Sequence, residues 1–297
     1  MKRALLFLLA FFAMTTATAF AGSGHYGSGG EGLQAATMPP PGLYWKTYVT
    51  YYNSSDNRDR DGHKANGDFS LNAASLSNRI IYSSDIELLG GNLVMDAVVP
   101  ISYTDISTKN IGAASYSKNK SGVGDVILEP FILAWHGAWY DALIAAAVFL
   151  PTGDYNMNNP ASIGKGYTTF MPSVGGTVYL DAEKTWHASI LARYEMHTEQ
   201  DQTHITPGND FHFEWGAGKK FADIYNLGLV GYCHWQVTDD SGTGATDARK
   251  QVYALGPEFN FAIPSYNTSI AVRVLKEFEA QNAPQGVLGV LTVTKAF

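Results

Sequence analysis

The stretch TWHASILARYEMH at residues 185–197 alternates between apolar and polar side chains. One parity is apolar and consists of Trp186, Ala188, Ile190, Ala192, Tyr194 and Met196. The other is polar and consists of Thr185, His187, Ser189, Arg193, Glu195 and His197, with Leu191 as an apolar intruder. A period of two predicts an extended strand with one apolar and one ionisable face. In a soluble sandwich the polar face meets bulk water, whereas in an outer-membrane barrel the apolar face meets lipid and charges point into a lumen.

The first residues have the pattern of a secretory signal peptide. Lys2 and Arg3 precede an apolar run at residues 4–13, and Ala19-Phe20-Ala21 forms an A-x-A cleavage site. We expect cleavage after Ala21, so that residues 1–21 are removed. A spanning helix needs about 20 apolar residues, and neither this run nor any later stretch is long enough. The exported protein is therefore periplasmic, secreted or a membrane barrel.

Composition favours the barrel. Charged residues make up 16% of the chain, against roughly 25% in ordinary soluble domains. The chain has 17 Tyr, 15 Phe and 6 Trp, yet its mean hydropathy is only −0.09, because lumen-facing residues in a barrel dilute the lipid-facing ones. Cys233 stands alone and cannot form an intramolecular disulfide. The net charge of −7 argues against nucleic acid as a partner.

The period of two recurs along the chain and predicts about 12 strands. They cover residues 43–52, 69–84, 93–104, 123–135, 142–150, 167–180, 185–197, 211–221, 227–238, 252–263, 269–280 and 286–297. The connections alternate between long and short. The long ones cover residues 53–68, 105–121, 151–166, 198–208 and 239–249, and only residues 281–284 form a short member of that set.

This alternation is typical of a barrel with long outer loops and short periplasmic turns, whereas a sandwich has no reason to show it. The sequence therefore predicts an all-β protein: a transmembrane antiparallel up-and-down β-barrel in the outer membrane of a Gram-negative bacterium. An even number of strands places both termini on the periplasmic side, and the count leaves 10 or 14 strands as alternatives.

Residues 22–41 precede the barrel, which covers residues 42–297. Their sequence, GSGHYGSGGEGLQAATMPPP, is rich in Gly and Pro and has no hydrophobic period, so we predict a flexible segment. Three prolines, Pro39 to Pro41, stiffen its junction with the first strand. We expect the segment to lie at or partly inside the periplasmic mouth; the alternative is a disordered periplasmic tail.

Several short motifs resemble the family named for the meta-pathway of phenol degradation. They are PPPGLYW (39–45), LLGGN (88–92), GVGDVILEPFILAWH (122–136), LPTGDY (150–155), GYTTFMPSVGGTVYL (166–180), QVTDDSG (236–242) and ALGPEFNF (254–261). The resemblance implies an outer-membrane channel linked to the degradation of aromatic compounds, and it brings no catalytic residues. Phe297 also matches the terminal aromatic that barrel-assembly machinery reads, although Lys295 stands where a second aromatic is usual.

Parity directs a set of polar side chains into the lumen, where they are candidates to line a solute path. The set is Tyr44, Lys46, Tyr48, Asp96, Asp125, Glu129, Arg193, Glu195, Glu214, His234, Gln236, Glu258, Arg273 and Glu277. The outward set includes Trp186, Ile190, Tyr194, Phe213 and Trp235. In a narrow barrel the inward charges either pair across the interior and plug it or leave a hydrated path. The sequence leaves both outcomes open.

Three other patterns do not predict a catalytic or metal site. His187 and Ser189 resemble the His and Ser of outer-membrane phospholipases, but they face the lumen, and no Asn follows at a comparable strand offset. His197, His204, His212 and His234, with Asp239 and Asp240 nearby, lack the close pairing of a zinc site. DNRDRDG at residues 56–62 lacks the terminal Glu of a calcium loop and is expected to be an exposed loop.

The leading hypothesis is a passive outer-membrane channel for small solutes, aromatic or hydrophobic ones among them. The first alternative is a closed structural barrel whose outer loops bind a partner or ligand, and the second is a lipid hydrolase. The expected partners are outer-membrane lipid, a small-molecule solute and the barrel-assembly machinery through the C-terminal strand. We expect no cofactor, no metal and no catalytic residue.

Overall fold

The computed structural model describes residues 24–111 and 114–297. The predicted signal peptide at residues 1–21, together with residues 22 and 23, lies outside the described residues. The strands are β1 Gly42–Ser54, β2 Asp68–Leu88, β3 Gly91–Ile111, β4 Ala114–Val123, β5 Val126–His136, β6 Tyr140–Leu150, β7 Thr169–Tyr179, β8 Trp186–His197, β9 Asp210–Phe221, β10 Tyr225–Gln236, β11 Gln251–Ile263, β12 Thr268–Gln281 and β13 Val287–Ala296. A short 3₁₀ turn, Pro264–Tyr266, joins β11 to β12.

The strands form a closed antiparallel barrel. Each strand pairs with the next along the chain except β4 with β5, and β1 pairs with both β2 and β13, which closes the wall. The strands β4 and β5 both pair with β3, one above the other, and Gly124 and Asp125 interrupt the strand between them. They share one position, so the wall has 12 strands, and the predicted fold class is confirmed.

Connections at the two ends of the barrel differ in length, as predicted. At the end where β1 begins and β13 ends, β2 and β3 are joined by the two residues Leu89 and Gly90, which both have positive φ. At the opposite end, residues 55–67, 151–168 and 237–250 form long loops. In outer-membrane barrels the short turns face the periplasm and the long loops face outward. Within the described residues, no helix has the length and apolar character to cross a membrane.

The predicted polar loop at residues 105–121 is wrong. The strand β3 continues to Ile111, and β4 returns from Ala114 to Val123, so these residues extend the β2–β3–β4 wall. At about 3.3 Å per residue, the 21 residues of β3 span about 70 Å, far more than a bilayer requires. One face of this extension packs Phe69 and Ile106 against Ala161 of the loop that follows β6. Most of its other side chains are polar, so the sequence carries no regular apolar alternation and the strand signal is lost.

One parity prediction fails on β5. The period of two over residues 123–135 directs Ile132 and Ala134 towards lipid, but both are 1% exposed and pack inside the barrel. The pairing of β5 with β6 shifts register between Leu128 and Phe131, which marks a bulge. An extra residue reverses the direction of every side chain that follows it, so the alternation read from Val126 is inverted beyond the bulge.

The strand β8 follows its parity. Trp186 and Ile190 are 51% and 48% exposed, while Arg193 and Glu195 are buried. The exterior of the barrel carries many exposed large apolar side chains, among them Val174, Leu229, Val272, Val274 and Phe278. Such a surface is stable against lipid tails and costly in water.

The N-terminal segment, defined as residues 24–41, runs through the lumen. Thr37 contacts Asp141 near the periplasmic end, Glu31 contacts Arg79 at mid-height, and His25 contacts Asp125 towards the outer end. The sequence places the segment at or partly inside the periplasmic mouth, and the structure shows that it extends further, through the lumen to Asp125. It makes specific hydrogen bonds along its length. The Gly- and Pro-rich composition that predicts a flexible segment does not reveal these bonds, because the partners are side chains of distant wall strands.

Candidate functional site in the barrel lumen

Wall carboxylates satisfy the backbone of the N-terminal segment. The segment has no regular secondary structure, so its buried N–H groups need side-chain acceptors. Glu195 accepts from the N–H of His25 at 2.6 Å, and Glu214 accepts from the N–H groups of Gly29 and Glu31 at 2.7 and 3.0 Å. Further down, the carboxylate of Glu258 accepts from the N–H of Leu33 at 3.2 Å. Inward-facing acids thus hold the segment.

Arg273 also binds the segment, and its positive charge pairs with one of these carboxylates. Its Nη1 donates to the carbonyl oxygens of Gly29 and Gly30 at 3.2 and 2.5 Å, and its Nε lies 2.9 Å from a carboxylate oxygen of Glu258. Arg273 is 3% exposed and Glu258 is 2% exposed. A buried ion pair is stable only when hydrogen bonds satisfy the remaining polar atoms, and the segment's carbonyl groups supply them.

The phenol ring of Tyr26 is anchored on three sides. Its hydroxyl donates to Glu214 at 2.9 Å, the guanidinium of Arg193 lies 4.1 Å from the ring centroid, and the ring stacks on His212. Arg193 also donates to Glu214 at 2.6 Å. The cation–π contact and the hydrogen bonds fix the segment against β8 and β9.

A second charged cluster joins the segment to β1, β2, β3 and β5. The side chain of Glu31 accepts from Lys46 at 2.7 Å, from Tyr48 at 2.6 Å and from Arg79 at 3.0 Å. Arg79 also donates to Asp96 and Glu129 at 2.5 and 3.1 Å. Three carboxylates therefore surround two cations, and this cluster carries a formal charge of −1.

The predicted lumen residues divide into two groups. Those that line the cavity beside the segment are Lys46, Tyr48, Asp96, Asp125, Glu129, Arg193, His234 and Glu277. The others are Tyr44, Glu195, Glu214, Gln236, Glu258 and Arg273. Three of them, Glu195, Glu214 and Glu258, accept from N–H groups of the segment, and Arg273 donates to its carbonyl oxygens. Tyr44 donates to the carbonyl of Pro40, and Gln236 donates to Asp240 in an outer loop. Whether the first group conducts a solute stays a prediction.

The cavity lies beside the segment and has a volume of about 870 Å³, and most of its lining comes from β1 to β3 and from β5 to β8. Pro39, Pro40 and Thr294 line it towards the periplasmic end, and Ser102 and Lys165 line it towards the outer end. One flank is apolar and consists of Ile127, Ile132, Leu143, Ala145, Ala147, Phe149, Met171 and Leu191. The other flank is polar and consists of Glu31, Lys46, Tyr48, Ser75, Ser77, Arg79, Asp96, Ser102 and Glu129. The cavity is therefore amphipathic.

Sequence reasoning missed several of these residues. Arg79 lies on β2, whose parity could not be read, and Glu31 lies in the Gly-rich segment. The apolar flank on β6 was missed because Ala145, Ala147 and Phe149 alternate with lipid-facing apolar residues, which leaves no polarity difference to read. Leu191, the apolar intruder on the polar face of β8, was a usable signal, since it packs inside against Ala36 of the segment.

His187 has an Asn partner in the structure, but His187 and Ser189 do not have catalytic geometry. Asn226 on β10 contacts His187 Nε2 at 2.9 Å, so an Asn is present in space although none follows at a comparable strand offset. The hydroxyl of Ser189 has no hydrogen-bond partner within the structure, and Ser189 is 8% exposed and faces inward. Nucleophilic catalysis requires the base within hydrogen-bond reach of the hydroxyl, and this pair lacks that contact.

The candidate metal residues do not form one site. His204 pairs with Glu199 in an exposed loop, Asp239 pairs with Arg249, and Asp240 accepts from Gln236. Across residues 24–111 and 114–297, the one group of three potential ligands with mutually close atoms is Asp59, Asp61 and His63. All three are exposed, and Asp59 accepts from the N–H groups of the other two, as in an ordinary polar turn.

Gly32 offers a sharp test of how tightly the segment is held. A Cβ at Gly32 would lie 1.6 Å from Oε2 of Glu258, whose carboxylate is fixed by Arg273, whereas a Cβ at Gly27 meets nothing within 4 Å. We therefore expect Gly32→Ala to displace the segment and Gly27→Ala to leave it in place. Protease cleavage within the segment of the folded barrel measures this. Equal protection of both variants would contradict the described packing.

Comparison with known proteins places the chain in a family. No curated protein matches it at a significant level. An outer membrane channel from Pseudomonas putida F1 shares the fold, with a TM-score of 0.77 and 15% identity over 88% of this chain and 97% of that chain. The translocator domain of the autotransporter NalP from Neisseria meningitidis has a TM-score of 0.52 and 11% identity, over 88% of this chain and 91% of that chain. The sequence profile of the family described as the MetA-pathway of phenol degradation matches residues 54–293, and the chain therefore belongs to that family.

Proposed function

We propose that the protein is a passive outer-membrane channel of a Gram-negative bacterium for small, neutral, amphipathic solutes, phenols among them. The amphipathic cavity of about 870 Å³ carries this proposal, because its volume suits a small molecule and its lining extends along the barrel. The family description, which names phenol degradation, agrees with it, as does the similar structure from Pseudomonas putida F1, which is an outer membrane channel. The apolar exterior would contact lipid, and β13 with Phe297 would engage the assembly machinery.

The two flanks suit an aromatic ring with a polar substituent. Phe149 and Met171 offer a ring face and a polarizable sulfur, which are favourable partners for an aromatic solute. The hydroxyl groups of Ser75 and Ser77 and the side chains around Arg79 line the other flank and can exchange hydrogen bonds with a hydroxyl. A solute with one apolar and one polar end fits both flanks at once.

Charge in the cavity favours a neutral solute over an anion. Lys46 and Arg79 are both bonded to carboxylates, and Glu31, Asp96 and Glu129 outnumber these two cations. A benzoate-like anion would have to displace an existing carboxylate and would meet a cluster of net charge −1. A neutral phenol avoids this electrostatic cost. The channel should therefore discriminate against aromatic carboxylates.

The closed structural barrel is the second candidate, and a specific observation favours it. The half of the lumen beside β8 to β12 is filled by the segment and by paired charges such as Arg193 with Glu214 and Arg273 with Glu258. Paired charges that fill an interior are what a plugged barrel requires. A closed barrel should pass no solute through the cavity, even when the cavity is unobstructed.

Filling the cavity separates the two candidates. Ala145 lines the cavity, whereas its neighbour Ile144 is 40% exposed on the outer surface. We expect Ala145→Trp to reduce the uptake of a neutral polyhydroxybenzene into liposomes by at least severalfold, and Ile144→Trp to leave uptake unchanged. The polyhydroxybenzene is chosen because its hydroxyl groups slow its passage through lipid. Folding of both variants is checked by their heat-dependent mobility on gels.

Uptake by the native protein that equals the uptake by protein-free liposomes would support the closed barrel. Uptake that is present but insensitive to Ala145→Trp would show that the solute crosses by another path. Hydrolysis of lipid by the purified protein, abolished by His187→Ala, would instead support the hydrolase.

A further inference from the structure

A continuous chain of hydrogen bonds joins the N-terminal segment to the outer half of the wall. Asp125 Oδ2 contacts His25 Nε2 at 2.8 Å, and His25 Nδ1 contacts the hydroxyl of Thr169 at 2.6 Å. The same hydroxyl contacts His197 Nδ1 at 2.7 Å, and His197 Nε2 contacts Asp210 Oδ2 at 3.0 Å. Thr169 and Asp210 are fully buried, and the side chain of His25 is 3% exposed. Bulk water therefore cannot complete these contacts.

The number of protons in this chain can be counted. Each of its four hydrogen bonds needs one hydrogen. A carboxylate supplies none, a neutral imidazole supplies one, and a hydroxyl supplies one. Two carboxylates, two neutral imidazoles and one hydroxyl therefore supply three hydrogens for four bonds. If His25 donates to Asp125, Thr169 donates to His25 and His197 donates to Thr169, but the remaining nitrogen of His197 then turns a lone pair towards Asp210. If His197 instead donates to Asp210, the two lone pairs face each other between His25 and Asp125.

We infer that this chain is a proton-binding site and that one bound proton latches the segment to the wall. The proton converts one of the two imidazoles to imidazolium, or one of the two carboxylates to a carboxylic acid, and all four bonds can then form. Without it, two lone pairs face each other at one of the junctions, and a buried contact of that kind is repulsive. His25 is the one member that the segment contributes, so breaking a bond at His25 loosens the outer end of the segment, while Glu214 and Glu258 still bind the rest of it.

Neighbouring groups do not remove the need for this proton. His234 Nε2 faces Asp210 Oδ1 at 3.0 Å, and His234 Nδ1 faces the hydroxyl of Ser28 at 3.1 Å, so a neutral His234 satisfies both contacts. Asp125 also accepts from the backbone N–H of Gly153 and Lys165. The other titratable or charged groups that face the chain are Glu195, His212, Tyr167 and the side chains of Lys165 and Lys250.

The direction of the pH effect follows from the count. The fully bonded hydrogen-bond chain holds the extra proton, so lowering the pH favours the latched segment and raising the pH releases its outer end at His25. This inference rests on the proposed function only in that the segment restricts the solute path. The proton count itself concerns the histidine rings and can be measured without any transport assay.

Asp210→Asn removes the need for the proton. The substituted amide can donate to His197 Nε2, after which His197 donates to Thr169, Thr169 donates to His25, and His25 donates to Asp125. All four bonds then form with both rings neutral. We expect the conductance of the native protein in planar bilayers to rise between about pH 5 and 8. The Asp210→Asn variant should keep the low conductance of the latched state throughout this range, and His136→Gln, which removes a histidine paired with Asp141 at the periplasmic end, should behave like the native protein.

Nitrogen NMR of the protein labelled with ¹⁵N-histidine tests the site directly in the native chain. We expect the His25 and His197 rings, assigned by comparison with His25→Gln, to share one proton that is lost with the same midpoint as the change in conductance. Its loss in Asp210→Asn would support the latch. Two neutral rings at every pH where the segment stays bound, with no carboxylic proton in its infrared spectrum, would overturn it. A native protein that conducts at no pH would count against the proposed function, while the ring titration would still decide the proton site.

Discussion

Replacing Arg79 by Met should destabilise the barrel by about 3–5 kcal/mol at neutral pH, because it leaves buried carboxylates without their cation. Arg79 holds Glu31, Asp96 and Glu129, and the side chain of Asp96 is 1% exposed. Tryptophan fluorescence during urea unfolding in detergent micelles measures the loss. Since a protonated carboxyl group needs no cation, the deficit should be present at neutral pH and should shrink as the pH falls.

Arg60 provides the matched control for this substitution. It pairs with Asp247, but the two side chains are 62% and 75% exposed. An exposed pair contributes little to stability because water screens its charges, so Arg60→Met should leave the unfolding curve nearly unchanged. Equal losses in the two variants would mean that the cluster around Arg79 has no special part in stability.

Deletion of residues 24–37 should raise the ion conductance of the protein manyfold. The deletion removes the side chains and backbone that fill the lumen beside β8 to β12, while Glu195, Glu214 and Glu258 regain water in place of the segment's N–H groups. The barrel should therefore remain folded. Buried acidic side chains outnumber the buried cations Arg193 and Arg273, so the opened lumen should favour cations over anions. Single-channel recording in planar bilayers measures both properties.

A second variant separates the effect of the segment's side chains from the effect of its backbone. Replacing residues 24–37 by a Gly-Ser linker of equal length keeps the bulk of the backbone but removes the side chains of His25, Tyr26 and Glu31. We expect a conductance between those of the native and deleted forms, with frequent closures. A folded deletion variant with native conductance would show that the segment does not restrict the path.

The wall of the barrel could be predicted from sequence because one face of most strands meets lipid. The strand β8 shows this best, since Trp186 and Ile190 lie outside and Arg193 and Glu195 lie inside. The signal disappears wherever both faces have the same environment. Mostly polar side chains on both faces concealed the extension that follows Thr104 in β3, and apolar side chains on both faces concealed the cavity-lining residues of β6.

The interior of the lumen was predictable in part. Parity identified acids such as Glu214 and Glu258, but it could not show that they bind the N-terminal segment, because the contacts go to backbone N–H groups separated by more than 180 residues along the chain. A Gly-rich segment has few side chains to reveal such contacts. Its polar residues His25 and Glu31 were the available clues, and each finds an oppositely charged or hydrogen-bonding partner on the wall.

A crystal structure with bound 4-bromophenol would test the central claim most directly, since the bromine can be located by its anomalous scattering. The proposed channel predicts a bromine peak against the apolar flank near Ala145, Phe149 and Met171, with the hydroxyl directed to the polar flank around Arg79. The anion 4-bromobenzoate should give no peak there. Bromine peaks confined to the lipid-facing surface, or equal occupancy of the cavity by both compounds, would contradict the account.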